Sequence, residues 1–264
     1  MSTLGLVLSG GGARAAYQAG VLMALSDICA EMKIEQPFQI YSGVSAGAIN
    51  AAVVTSYDGN FSQACQHLNK LWNNIKSEDV YVSNPMSLTQ EGIHWLLDLS
   101  LGGMKRSTPG KSLLNTAPLR SLIEKYCTFE NIEKKIRQND IQALAITAMD
   151  YFNTYSITFV EAHKDIPIWE RARRKSERAN ISADHLMASS AIPLLFPPIN
   201  LGEGFFGDGS IRNLSPLSPV IYMGAERVLA VGVRSPRELC YSQKSEALNE
   251  PPTVARILSV MLNA

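Results

Sequence analysis

Two residues of this 264-residue sequence stand out by type and spacing as capable of chemistry: Ser45, in Gly43-Val44-Ser45-Ala46-Gly47, and Asp208, in Phe205-Phe206-Gly207-Asp208-Gly209-Ser210. The first stretch is G-x-S-x-G, in which flanking glycines let a serine sit on a sharp bend between a strand and a helix with its hydroxyl outward. A serine nucleophile needs a base, and the usual α/β-hydrolase order is Ser, then acid, then His. Here all four histidines, His67, His94, His163 and His185, precede Asp208, and Ser45 comes too early for that fold. A Ser45-Asp208 dyad without histidine fits better. Asp208 is then an acid exposed at a strand end, the alternative being a D-G hairpin turn.

A third stretch, Gly10-Gly11-Gly12-Ala13-Arg14-Ala15, formally fits the dinucleotide-binding pattern G-x-G-x-x-[G/A]. That reading also needs an acidic residue at the end of the second strand, where this chain has Ile40-Tyr41-Ser42-Gly43. The functional alternative is an oxyanion hole, with consecutive glycines turning N–H groups of Gly10, Gly11 and Gly12 toward one point at a helix N-terminus. A plain tight turn is the bland reading.

The elements that must position these groups are legible as strand, glycine turn, helix, repeated. Thr3 to Leu8 reads as a buried strand, and Val21, Leu25, Ile28 and Met32 recur at helical spacing and mark a first helix. Phe38 to Ser42 reads as a second strand and Ala46 to Val54 as a buried helix. Further on, Ser62 to Asn74 and Pro118 to Cys127 read as helices, and Ser83 to Pro85 and Gly102 to Gly110 as loops. Leu144 to Asp150 and Tyr155 to Val160 form two strands joined by a turn at Asn153-Thr154, and Val228 to Val233 is another strand. Such alternation implies a mainly parallel sheet covered by helices on its faces, a three-layer α/β/α fold. Ser235 to Pro252 reads as a linker, followed by a helical pattern over Val254 to Leu262.

Composition narrows the classes. Lys plus Arg (24) balances Asp plus Glu (24), so no basic excess points to nucleic acid. Cys29, Cys65, Cys127 and Cys240 form no C-x-x-C pair and read as free, buried thiols. No metal-ligand pattern is present, and no cofactor is implied. The N-terminus lacks a signal-peptide pattern and Pro193, Pro197 and Pro198 interrupt the most apolar stretch, Leu186 to Ile199, so a cytoplasmic chain with at most peripheral membrane contact is expected. Arg171, Arg173, Arg174, Lys175 and Arg178, diluted by Glu170 and Glu177, read as a solvated helix face, Ile93 to Leu97 as helix core, and His94 and His185 as structural.

In combination these stretches resemble the patatin-like phospholipase family. The glycine block with its arginine (Gly10 to Arg14), the elbow (Gly43 to Gly47) and the aspartate block (Asp208-Gly209-Ser210) occur in the family's order. Ala188-Ser189-Ser190-Ala191-Ile192-Pro193 with Phe196-Pro197-Pro198 is similar to the segment before its aspartate strand. The chain departs from the pattern at Ala15, where the family usually has Gly, and at Ser210, where it has Gly or Ala. The resemblance implies a patatin-like fold, with residues 1–234 as catalytic domain and 235–264 as a flexible segment plus C-terminal helix. Family members normally continue further, which implies either a trimmed chain or a missing C-terminal segment. It also implies a lipid acyl hydrolase, of phospholipase A or lysophospholipase type, whose Ser45 and Asp208 work through an acyl-enzyme without calcium. Phospholipid or another fatty-acyl ester is then the substrate, and Arg14 positions the loop or meets lipid phosphate. The rivals are a nucleotide-binding protein using the glycine loop and a catalytically silent lipid-binding module.

Overall fold

The computed structural model describes residues 2–82, 114–202, 204–211 and 216–233. The expected loops at Ser83 to Pro85 and Gly102 to Gly110, the Ile93 to Leu97 segment, His94, Cys240, the linker and the last helix lie outside these residues.

Short apolar runs bounded by turn residues become buried strands. Among the described residues they form a nine-stranded sheet ordered β5-β6-β4-β3-β2-β1-β9, with β8 paired to both β3 and β7. The left half of that order holds β3 (Ala143–Asp150), β4 (Ser156–Ala162), β5 (Glu170–Arg171) and β6 (Arg174–Arg178). The other half holds β1 (Leu4–Leu8), β2 (Ile40–Val44) and β9 (Arg227–Val231), while β7 is Ile199–Asn200 and β8 is Phe205–Asp208. Strands β9, β1, β2 and β3 run parallel, whereas β4 and β8 lie antiparallel to β3. All of β2 and β3 is buried, as parallel strands covered on both faces must be.

Alternation along the strands divides two cores. Leu6, Leu8, Tyr41, Leu144 and Ile146 face the larger one, beneath α1 (Ala16–Glu31), α2 (Ala46–Ser56), α3 (Phe61–Asn74), α4 (Ala117–Tyr126), α5 (Glu130–Arg137) and α6 (Ala183–Ser189). Val7, Ile40, Ala143 and Ala145 face the smaller one, beneath Val220 of α7 (Ser218–Tyr222) and Met223. The result is a mixed sheet of mostly parallel strands flanked by helices. No helix among the described residues is long and apolar enough to cross a membrane.

Helix α1 buries a stripe other than its most apolar one, and two expectations need correction. The deepest positions of α1 are Gln18, Ala19, Leu22 and Ser26, while Ile28 and Met32 are exposed. Small residues let the helix pack closely, and a buried glutamine has polar partners described below, so the most hydrophobic stripe is not the inner one. The basic run Arg171 to Arg178 lies on β5 and β6 at the end of the sheet, not on a helix. Cys65 and Cys127 are buried thiols, but Cys29 is partly exposed.

Candidate active site

Ser45 falls between the end of β2 and the start of α2, with φ 54° and ψ −132°. This strained conformation persists because its surroundings over-determine it. The flanking glycines explain themselves by close approach: a Cβ on Gly43 would lie 2.4 Å from the Gly47 carbonyl oxygen, and one on Gly47 would lie 2.2 Å from that of Leu8. Helix α2 is therefore drawn hard against β1 and β2, and any larger side chain would push it away.

Asp208 ends β8, opposite Ala148 of β3, and its backbone N–H donates to the Ala191 carbonyl at 2.9 Å. The Ser45 hydroxyl donates to Asp208 Oδ2 at 2.7 Å. The expected exposure of this acid is incorrect, because Asp208 is 4% exposed and Ser45 6%. Nor is Asp208-Gly209 a hairpin turn, since it leads into a 3-10 turn over Gly209–Ile211. That turn brings the Ser210 N–H to 2.8 Å and its hydroxyl to 2.6 Å from Asp208 Oδ1, so both donate to the carboxylate. Burial pushes the carboxyl above the usual carboxylate range, and the bonds from Ser210 and Ser45 pull in the opposite direction. Ser210, the departure from the family pattern, thus gives the carboxylate a hydroxyl donor that Gly or Ala cannot supply.

The glycine block follows β1 and meets the same point. A Cβ on Gly10 would lie 3.1 Å from the Ser45 Cβ and 3.2 Å from that of Ser210, so the loop passes directly over the pair. Gly11 packs against Val233, and Gly12 opens a 3-10 turn at φ +56°. Arg14 lies on the exposed side of that turn.

Sequence reasoning missed the supports. The Ser189 hydroxyl, fully buried, accepts a 2.9 Å hydrogen bond from the Ser45 N–H and donates to the Thr147 carbonyl at 2.7 Å. Gln18 Nε2 donates to the carbonyls of Ser9 (2.8 Å) and Val231 (3.1 Å). Asn50 Nδ2 donates to Gln18 Oε1 (2.9 Å) and to the Ala15 carbonyl (3.1 Å), and Asn50 Oδ1 accepts from Trp72 Nε1 at 2.8 Å. Gln18 and Asn50, both fully buried, so tie down the residues just before and just after the loop. Their signal is weak but present: an amide side chain inside a run of small and apolar residues.

The described histidines are engaged elsewhere. His67 Nε2 contacts the Tyr126 carbonyl at 3.1 Å, His163 pairs with Asp165, and His185 Nδ1 lies 2.9 Å from the Ser182 hydroxyl. Among the described residues no group of three or more His, Cys, Asp and Glu side chains could hold a metal ion.

No curated relative matches the sequence. Among solved structures, the chain resembles VipD from Legionella pneumophila at 17% identity, over 87% of this chain and 49% of that one, with a TM-score of 0.46. It resembles the type III effector ExoU at 20% identity, over 73% and 41%, with a TM-score of 0.37. For the heterodimeric ExoU–SpcU complex from Pseudomonas aeruginosa the figures are 17%, 91%, 49% and 0.36. The chain thus spans about half the length or less of these proteins. The family model for patatin-like phospholipase matches residues 6–221, taking in the glycine loop, the elbow and the aspartate turn that converge here. The chain belongs to the patatin-like phospholipase family.

Proposed function

We propose that this chain is a serine acyl hydrolase that cleaves fatty-acyl esters of lipids through Ser45 and Asp208. The observation that carries this reading is the 2.7 Å bond from the Ser45 hydroxyl to a buried carboxylate, on a serine held at positive φ. Asp208 Oδ2 takes the Ser45 proton as Oγ attacks the ester carbonyl. The oxyanion is held by N–H groups of Gly10 to Gly12, and the positive end of α2 favours the negative charge. Collapse expels the alcohol, which leaves with the proton from Asp208. Water then gives a proton to Asp208, attacks the acyl carbonyl, and frees the fatty acid as the proton returns to Ser45. Residues 1–234 form the catalytic unit, and Arg14, beside the loop, positions it or meets lipid phosphate.

A fluorophosphonate probe tests the reading. It should label the native chain and spare Ser45→Ala, and the same pair should separate on hydrolysis of phospholipid and of p-nitrophenyl esters. Chelation should leave the rate unchanged, because the proposed oxyanion donors are backbone groups. Equal labelling of both proteins would overturn the nucleophile assignment.

A further inference from the structure

Strand β3 runs parallel to β2 with Thr147 opposite Val44, so it carries the chain about 10 Å past the level of the elbow before turning. The turn that follows is firmly built. Asp150, 5% exposed, accepts at Oδ1 from the N–H groups of Phe152 (2.8 Å) and Asn153 (3.3 Å), and at Oδ2 from Asn153 Nδ2 (2.7 Å). What this frame presents is an aromatic crown. Phe152 is 73% exposed, Phe205 42% and Tyr151 39%, and the two phenylalanine rings stand 6.4 Å apart. The crown adjoins the base, since a Cβ on Gly207, the neighbour of Asp208, would lie 2.0 Å from the Tyr151 hydroxyl oxygen.

A second turn lies beside it. Strands β5 and β6 pair antiparallel with Arg171 opposite Arg174, leaving Ala172 and Arg173 at the bend. The Ser156 N–H donates to the Arg173 carbonyl at 3.0 Å, which fixes this bend next to the aromatic one. Arg171 and Arg173 are exposed there, the Arg171 guanidinium lying over the Tyr222 ring at 5.4 Å with its outer face open, and Arg174 is partly exposed and reaches the Ser218 hydroxyl. Of the carboxylates nearby, Glu177 pairs with Lys175 and Asp150 is held inside its turn, while exposed Glu170 lies opposite Lys175, so the cations at the bend outnumber the exposed acids. Exposed aromatics beside an arginine-bearing bend match the chemistry of an anionic lipid surface, with apolar rings for the acyl boundary and cations for the headgroups.

We infer that this end of the sheet is a membrane-docking face, on which Phe152 and Phe205 enter an anionic bilayer and Arg171 and Arg173 meet its headgroups, bringing the Ser45 site to the lipid. The inference rests on the hydrolase reading for its purpose but not for its test. Vesicle sedimentation with the Ser45→Ala chain should show binding to vesicles of equal parts phosphatidylcholine and phosphatidylserine, weaker binding to pure phosphatidylcholine, and weakening with salt. Adding Phe152→Ser should reduce binding about tenfold, the scale of one lost buried aromatic ring. Adding Arg171→Glu with Arg173→Glu should abolish the preference for phosphatidylserine. In a chain retaining Ser45, each change should leave hydrolysis of soluble p-nitrophenyl butyrate intact, which also reports folding. Undiminished vesicle binding by both variants overturns the docking face while leaving the hydrolase reading standing. An ester-inactive native chain with variant-sensitive vesicle binding sinks the hydrolase reading and keeps the face. If Phe152→Ser instead dissociates a dimer of this chain and vesicle binding is unaffected, the face joins two copies and the inference is wrong.

Discussion

The Ser189 hydroxyl stands between the backbone N–H of Ser45, 144 residues earlier in sequence, and the carbonyl of Thr147. Thr147 belongs to the strand against which Asp208 docks, so one hydroxyl couples the backbone of Ser45 to the frame that carries Asp208. Ser189→Ala removes that tie and leaves the Ser45 N–H buried without its acceptor. The expected result is a fall in kcat of about ten- to a hundredfold with KM unchanged, the scale of a small misplacement of reacting groups. A rise in KM at constant kcat would contradict it, as would native kinetics in both terms.

Asp208 should act as a base only when ionised. Because burial holds its carboxyl above the usual range, activity should rise with pH through an inflection higher than that of an ordinary aspartate. Ser210 opposes the burial by donating two hydrogen bonds to Oδ1. Ser210→Ala keeps the backbone donor and loses the hydroxyl, so the acid limb of the kcat/KM profile should move to higher pH. A full pH–rate comparison with the native chain checks this, and an unmoved acid limb would refute it.

Asp208→Asn should lose several orders of magnitude in rate, as happens when a serine loses its proton acceptor. It should also stabilise the fold. A buried acid whose folded pKa is raised loses stability as pH climbs from its unfolded pKa to its folded one, and the full penalty remains above that. The asparagine variant escapes the penalty at neutral pH, and its advantage in thermal unfolding should vanish in acid, where both side chains are neutral. Replacing His67, His94, His163 or His185 singly with Asn or Gln should leave rates within about tenfold, a range that covers packing losses but not loss of a base. A folded but inactive histidine variant would demand a triad.

Two glycines should fail in different ways. Gly47→Ala drives a Cβ into the backbone of β1, and thermal unfolding should show a loss of about 1–3 kcal/mol or more. Gly10→Ala needs its neighbours to give only a few tenths of an ångström, but those neighbours are Ser45 and Ser210. It should fold nearly normally and turn over at least about tenfold more slowly, because the crowding falls on the reacting groups. Equal damage to stability in both would mean that the loop is not specifically fitted to the site.

Much of the central sheet was legible in the sequence because its strands are short apolar runs punctuated by glycine, and the Ser45 elbow carries its own local pattern. What stayed hidden depends on distant pairing. The hydroxyl of Ser189 acquires its role only when β3 and the elbow meet, and nothing local distinguishes it from Ser190. Nor does hydrophobicity report that Gln18 of α1 is buried to hold carbonyls of Ser9 and Val231. Charged residues dominate β5, the edge strand, and β6 beside it, so no apolar run marks either as a strand.

The pairing of β8 with β3, and of β9 with β1, has a consequence for biosynthesis. Chains leave the ribosome N-terminus first. A nascent chain that has emerged through β7 already contains the elbow and the glycine residues, yet it has neither Asp208 nor the Val231 carbonyl that helps fix Gln18. On the proposed mechanism, hydrolytic competence arrives late, when β8 and β9 dock on the sheet, and the unfinished polypeptide passes the surrounding lipids without attacking them.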